Sequence, residues 1–351
     1  MRHRLLMSMG VLAALLLAVQ VMSQTRPPSA AAPKAAATLS TRAWAPPKTP
    51  WGDPDLQGTW TSDDYIGTPL QRDVNLGEKK FFTEQEIAER EAAIARQAAT
   101  DLADTVAPGA RVTTGPPGHW GERARRPPRQ TSLVVDPPNG RIPALTPQGQ
   151  TRNAGLQAAR QRLGPAGSWE SYSFYIRCIT RGPTGSIFPV IYGNGQQIVQ
   201  GPGFVTLLQE MVHEARVIPL DGRPHAGPNI RTYMGDSRGR WEGNTLVVET
   251  TNFLPDKTGV QGGNGGGPPT SDALKLTERF TRVDPNTLNY EVTIDDPKTY
   301  TSPWKVAFPL TQEPGYQNFE YACHEGNYAM FNSLSGGRAD DKAAEEAARQ
   351  K

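Results

Sequence analysis

Three glutamates and a histidine stand in stretches that otherwise read as β-strand, and their spacing is what suggests chemistry. Between Leu274 and Val283, alternate residues put Leu274, Leu276, Glu278, Phe280 and Arg282 on one face, so Glu278 has a leucine and a phenylalanine as same-face neighbours. In Thr245 to Phe253, the face Val247, Glu249, Thr251, Phe253 gives Glu249 a comparable setting. The long run from Phe204 to Pro219 groups Leu207, Met211, His213 and Val217 on one face, and Leu208, Glu210, Val212, Glu214 and Arg216 on the other. A carboxylate among apolar groups must be paired or protonated, because an unpaired buried charge costs several kcal/mol. Two accounts meet that requirement. In one, Glu249 and Glu278 form structural ion pairs with Arg216, Arg231 or Arg279. In the other, they face a cavity in which His213, with Glu210, Glu249 or Glu278, moves protons in a lyase, isomerase or hydrolase, while Arg231, Tyr233, Arg279 and Tyr192 hold the ligand.

Other chemistries lack their residues. His213-Glu214 has no second histidine at helical spacing, and His119 and His225 fall in turn-like segments, so no metal site is expected. There is no Gly-x-Ser-x-Gly elbow, haem-attachment motif or dinucleotide fingerprint, and no cofactor is expected. Trp120, Trp169, Trp241 and Trp304 offer a further reading as stacking platforms of a carbohydrate-binding or envelope-associated module, against which stands the usual place of tryptophan in cores.

The elements that must position these residues are mostly strands. The expected ones are Leu133 to Val135, Gln196 to Gln200, Phe204 to Pro219, Ile230 to Met234, Leu246 to Phe253, Leu274 to Val283, Leu288 to Ile294, Trp304 to Leu310 and Phe319 to Cys323, with a first strand near Trp60. Tight turns at Gly201-Pro202-Gly203, Asp221-Gly222, Glu242-Gly243-Asn244 and Asp284-Pro285-Asn286 force antiparallel pairing. The fold class is therefore mainly β: an antiparallel meander that closes into a barrel and so removes its exposed edges. Two peripheral helices are expected before it. Thr83 and Glu86 have capping-box spacing ahead of a run to about Ala99, and Thr146-Pro147 opens a second helix to about Leu163. The span 83–163 is read as a helical and loop insertion on the surface of one β-rich domain, 51–336. The glycine-rich Gly259 to Pro269 is read as a loop near the barrel mouth.

The N-terminus bears on compartment. Met1 to Arg4 is basic and an apolar run extends from Leu5 to Val19, the pattern of a signal peptide over residues 1–23. No lipobox cysteine or twin-arginine pair accompanies it, which indicates Sec export to a periplasmic or secreted location. Residues 24–50, rich in Ala and Pro, read as a disordered tether, and 337–351 as a polar tail or frayed helix. The whole chain carries a net charge of +2; loss of Arg2 and Arg4 with the signal leaves 35 basic and 35 acidic residues. Such neutrality argues against nucleic acid as a partner, no stable membrane insertion is expected after cleavage, and the Arg123 to Arg129 segment reads as a solvated loop. The two cysteines, Cys178 and Cys323, are expected to form a disulfide in an oxidising compartment. Together these features favour an exported soluble protein that binds a small molecule in a β-barrel cavity.

Three segments carry a likeness. Pro50-Trp51-Gly52-Asp53-Pro54-Asp55-Leu56-Gln57-Gly58-Thr59-Trp60, the stretch from Arg231 to Phe253 around Met234-Gly235-Asp236-Ser237-Arg238-Gly239, and Tyr321-Ala322-Cys323-His324-Glu325-Gly326-Asn327-Tyr328 together resemble a family of uncharacterised exported bacterial proteins. The resemblance spans most of the mature chain and implies export but no particular activity. Gly58-Thr59-Trp60 is also similar to the Gly-x-Trp of lipocalins, whose Trp closes the barrel floor, and this implies a lipocalin-like barrel and nothing about function.

Overall fold

The computed structural model describes residues 44–103, 124, 127–164, 166–255, 260, 270–313 and 315–350. The expected signal, most of the tether, His119, Trp120, Arg123, Arg125 and Arg126 of the Arg-rich loop and most of the glycine-rich loop lie outside these residues. Trp44 to Pro50, expected in the tether, belongs to the ordered chain: Lys48 bridges to Pro54 and Thr49 is buried.

Ten strands form one sheet: β1 (Gly58–Thr61), β2 (Val134–Asp136), β3 (Gly195–Gly201), β4 (Phe204–Gln209), β5 (Ala215–Pro219), β6 (Asp236–Glu242), β7 (Thr245–Thr251), β8 (Lys275–Asp284), β9 (Thr287–Asp295) and β10 (Trp304–Gln312). The order is β5-β4-β3-β1-β10-β9-β8-β7-β6, with β2 laid additionally on β10. This is the expected antiparallel meander, nearly closed into a barrel. The closure has a parity problem. Every laddered pair is antiparallel, so in a path of nine strands the two ends, β5 and β6, point the same way. A parallel neighbour requires a long crossover, and the connection from Leu220 to Gly235 supplies it. At this seam side chains replace the ladder: a Cβ on Gly239 would stand 2.6 Å from Leu220 Cδ2 and 2.8 Å from Ile218 Cγ2.

Strand polarity gives the barrel two unlike ends. The turns β3–β4, β6–β7 and β8–β9 are tight and lie at one end; the long connections into β3 and between β7–β8 and β9–β10, with the β4–β5 turn, gather at the other. Trp60 is fully buried, its indole N–H donates to Leu56 O at 2.9 Å, and the Arg282 guanidinium covers the ring at 5.3 Å.

Alternation decides what points inward. Leu276, Glu278 and Phe280 of β8, Leu288, Tyr290, Val292 and Ile294 of β9, and Trp304, Val306, Phe308 and Leu310 of β10 are all buried. Phe280, Tyr290 and Phe308 touch in series at 5.1 and 5.5 Å between centroids, so large side chains occupy this part of the interior. The long-loop end is plugged by residues 181–188, every one buried, which include the short helix α3 (Gly182–Gly185). Gln196 Nε2 and Gln209 Nε2 reach up from the strands to Ser186 O at 2.5 Å and Pro183 O at 3.2 Å. Val260, from the expected mouth loop, is buried and its carbonyl accepts from Thr184 Oγ1 at 3.1 Å.

The helices α1 (Glu84–Ala103) and α2 (Pro147–Leu163) stand where the capping signals put them. Glu86 N donates to Thr83 Oγ1 and Thr83 N to Glu86 Oε2; Gly149 N donates to Thr146 Oγ1 at 3.0 Å. Three expectations are corrected. Phe204 to Pro219 is two strands reversed through a turn at Met211–His213, with Val212 at φ 64°, because the ladder to β3 stops at Gln209. Ile230 to Met234 and Phe319 to Cys323 are loops, not strands; the first belongs to the seam crossover and the second to a segment wrapped outside the barrel. The C-terminal segment, read as a frayed helix or tail, is the end of helix α4 (Tyr328–Arg349).

Candidate functional site

The two cysteines organise the site. Cys178 and Cys323 are disulfide-bonded as expected, with Cα atoms 5.7 Å apart, and the bond pins the loop before the plug to the loop that follows β10. Chain is thereby brought together from Tyr172 to Tyr192, from the β4–β5 turn, and from Tyr316 to Asn327, none of which shares a strand.

At their meeting point three tyrosines surround one arginine. Tyr175 Oη and Tyr192 Oη are 3.2 Å apart, and Tyr175 also donates to Met211 Sδ at 3.6 Å. Tyr321 is hydrogen-bonded to both phenols. The Arg181 guanidinium lies 5.1 Å from the Tyr175 ring. Arg181 is only 7 % exposed, and its Nε and Nη1 have no partner among the described residues. Burial lowers the Arg181 pKa, against the opposing pull of the three phenols. Burial, then the hydrogen bonds from Tyr192 and Tyr321, push Tyr175 far above the ordinary phenol value; Tyr321 is raised too, chiefly by burial. These two hydroxyls are therefore protonated at neutral pH. The cluster is richer in donors than in acceptors.

A cleft of about 530 Å³ opens directly beside it. Tyr172, Tyr175, Ile176, Tyr321 and Cys323 line it together with Ala329 and Met330 of α4, and the exposed Glu320 and Glu325 belong to the same lining. Arg181 stands behind Tyr175, away from the cleft's own lining.

The sequence-derived candidates divide into two groups. Glu210, Tyr192 and the backbone of His213 belong to this region. Glu210 Oε2 accepts from Tyr316 Oη at 2.5 Å and from Gly195 N at 3.1 Å, and Glu214 Oε2 from Thr180 Oγ1 at 2.7 Å. Tyr233 stacks on Phe174, centroids 5.3 Å apart, one residue from Tyr175. The rest stand elsewhere. Glu278 is deep in the barrel, fully buried, in a two-pronged ion pair with Arg216, and its Oε1 also accepts from Tyr290 Oη at 3.1 Å. Glu249, expected on an inward face, points outward, because on β7 the inward set is Leu246, Val248 and Thr250. It lies 3.5 Å from His225 Nε2 and 3.5 Å from Lys275 Nζ. Arg279 pairs on the surface with Glu242 at 2.9 Å, and Arg231 donates to Phe253 O and Asp272 O. Trp304 is buried in the core, Trp241 packs against the core, and Trp169 is half exposed under Arg177.

Tyr175, Arg181 and Tyr321 escaped the sequence reading. A usable signal existed: each lies within three residues of a cysteine whose pairing is predictable, so the expected disulfide already brings them together. Among the described residues no helix is long and apolar enough to cross a membrane, and no group of three His, Cys, Asp or Glu residues forms a metal site. Compared with protein-family models, with curated proteins and with solved structures, the chain matches none.

Proposed function

We propose that the chain is an exported binding protein that holds a small organic molecule in the cleft beside the Cys178–Cys323 disulfide. One observation carries the reading: a cleft of about 530 Å³, within the size range of small-molecule sites, is lined by Tyr175 and Tyr321 of the phenol cluster, behind which stands the buried Arg181, its Nε and Nη1 without a partner among the described residues. An arginine left short of partners is costly as a purely structural device, since each unmade bond forfeits desolvation energy. A barrel offers a rigid frame, and the disulfide between two of its loops holds them in position for binding. The site lies at the barrel's loops and outside its hollow, where the described interior is taken up by aromatic side chains and the Arg216–Glu278 pair.

Native mass spectrometry of protein purified from its own host is expected to reveal a copurified small molecule, which Ala329→Trp, filling the cleft from α4, expels without loss of fold by circular dichroism. Retention of the same molecule by the Trp variant would place the site elsewhere.

A second reading, acid and base catalysis by Glu210 with His213, is favoured by the left-handed backbone of Val212 between them, since strained non-glycine residues gather at working sites. Turnover of the copurified molecule that Glu210→Gln abolishes while binding persists would select it.

A further inference from the structure

Every residue that lines the cleft comes from one of two stretches, 172–176 or 320–333, and the Cys178–Cys323 disulfide is the covalent link between them. Up to Tyr321 the second stretch has other anchors, since Tyr316 donates to Glu210 and Tyr321 bonds Tyr175 and Tyr192. Past Cys323 the ties are slight. Helix α4 has no buried residue, Asn327 Nδ2 reaches Ile176 O at 3.5 Å and Cys178 Sγ at 3.4 Å, and a Cβ on Gly337 would stand 2.9 Å from Ala166 Cβ. The two cysteines are also unequally placed. Cys178 is 6 % exposed, and its backbone stands at φ 55°, in the left-handed region that disfavours a residue with a Cβ. Cys323 is half-buried and lines the cleft. A thiolate therefore meets the bond through the cleft, at Cys323.

Resting on the binding reading above, we infer that the disulfide is a reducible latch on the cleft, which a dithiol opens when the cleft is empty and which a seated molecule protects. One thiolate of the dithiol attacks Cys323 Sγ and forms a mixed disulfide; the Cys178–Cys323 bond breaks, and Cys178 leaves as a thiolate that takes up a proton. The second thiol then attacks the mixed disulfide, so that Cys323 departs as a thiol and the dithiol ends as its own cyclic disulfide, two electrons having passed to the protein. Residues past Cys323 are released with α4, and the cleft comes apart. Occupancy and oxidation thus favour each other, and linkage makes the two effects equal.

The test starts from the oxidised chain, dialysed to empty the cleft. Trapping with glutathione is expected to place the first adduct on Cys323, read by peptide mass spectrometry. After reduction with dithiothreitol, amide exchange across residues 322–333 is expected to rise about tenfold while β8, β9 and β10 keep their protection. Ala329→Trp, which fills the cleft, is expected to slow reduction severalfold, whereas Ala347→Trp, farther along α4 and outside the lining, leaves the rate at the parent's value. An adduct on Cys178, unchanged exchange across 322–333, an even rise through the barrel strands, or an Ala329→Trp chain reduced as fast as the parent each overturns the inference. So does a bond that millimolar dithiothreitol leaves intact. None of these results touches the binding reading, which stands or falls on whether a copurified molecule leaves with Ala329→Trp.

Discussion

At the residue scale, the barrel's most deeply buried charged feature is an ion pair. Arg216 of β5 reaches across to Glu278 of β8, both are buried, and Tyr290 of β9 closes the group. Desolvation of Arg216 is outweighed by the Glu278 charge and its hydrogen bonds, so the guanidinium's pKa is raised and its charge is kept. Such a pair is weak evidence for net stability, yet breaking it from one side is costly, because the survivor is a buried charge. Arg216→Met is therefore expected to destabilise the fold by about 3–5 kcal/mol, whereas Arg216→Met together with Glu278→Leu costs less. Urea unfolding of the two variants decides it, and a double variant weaker than the single would mean that the pair is not what suffers. Half of this arrangement was legible in sequence. Period-2 alternation places Glu278 correctly between Leu276 and Phe280, because a strand's facing depends only on neighbours. Its partner was left among three arginines, because choosing Arg216 requires knowing that Phe204 to Pro219 folds back on itself. The same alternation misplaced Glu249: β7 carries apolar residues on both faces, with Leu246, Val247 and Val248 all buried, so polarity alone could not tell inside from outside.

At the element scale, helix α2 is fastened by its first turn. Thr146 caps it, donates to Lys298 O at 2.8 Å, and sets Gly149 against the β9–β10 connection, where a Cβ would stand 2.5 Å from Thr299 O. Helix propensity alone favours Ala over Gly by about 1 kcal/mol. Gly155, farther along the same helix, has open space around its Cα, so Gly155→Ala is expected to stabilise by up to about that amount. Gly149→Ala is expected to destabilise instead, since the obstacle is backbone and the helix must lift off Thr299. Thermal melts of the two variants should move in opposite directions; a shared direction would remove the docking argument. Local signals of this kind made α1 and α2 readable. Strand β6 was not, because Asp236-Ser237-Arg238-Gly239-Arg240-Trp241-Glu242 is polar and its strand character comes from the ladder to β7. Its charges suit a seam strand that must not recruit another edge, and Gly239 lets β5 side chains close over it. Ile230 to Met234 failed the other way: strand-like residues are spent there on a crossover that the parity of the ring demands.

At the scale of the whole molecule, the barrel's interior and flank store tyrosines in protonated form. Tyr290 is fully buried beside Glu278, and burial followed by that charge raises its pKa well above the ordinary value of 10.0. Tyr300 packs on Trp304 at 5.7 Å, and burial followed by Asp296 raises it as well. An unfolded chain releases these protons near pH 10, while the folded chain keeps them. Ionisation therefore favours the unfolded state: the stabilisation is whole below pH 10 and is lost as pH climbs from there toward the folded values. Each such group contributes a slope of about 1.4 kcal/mol per pH unit in that window. Urea midpoints at neutral pH, 10 and 11 are expected to stay level up to the tyrosine range and then fall by the combined slope of the raised phenols, Tyr65, Tyr175 and Tyr321 included. Tyr300→Phe isolates one contribution cleanly, because the Tyr300 hydroxyl is buried without a partner among the described residues and its removal breaks no hydrogen bond. That variant should match the parent near neutrality and fall less steeply above pH 10, by one group's slope of about 1.4 kcal/mol per pH unit. An unchanged slope would mean that Tyr300 ionises in the folded barrel as freely as in the unfolded chain, and that the wall around it admits water.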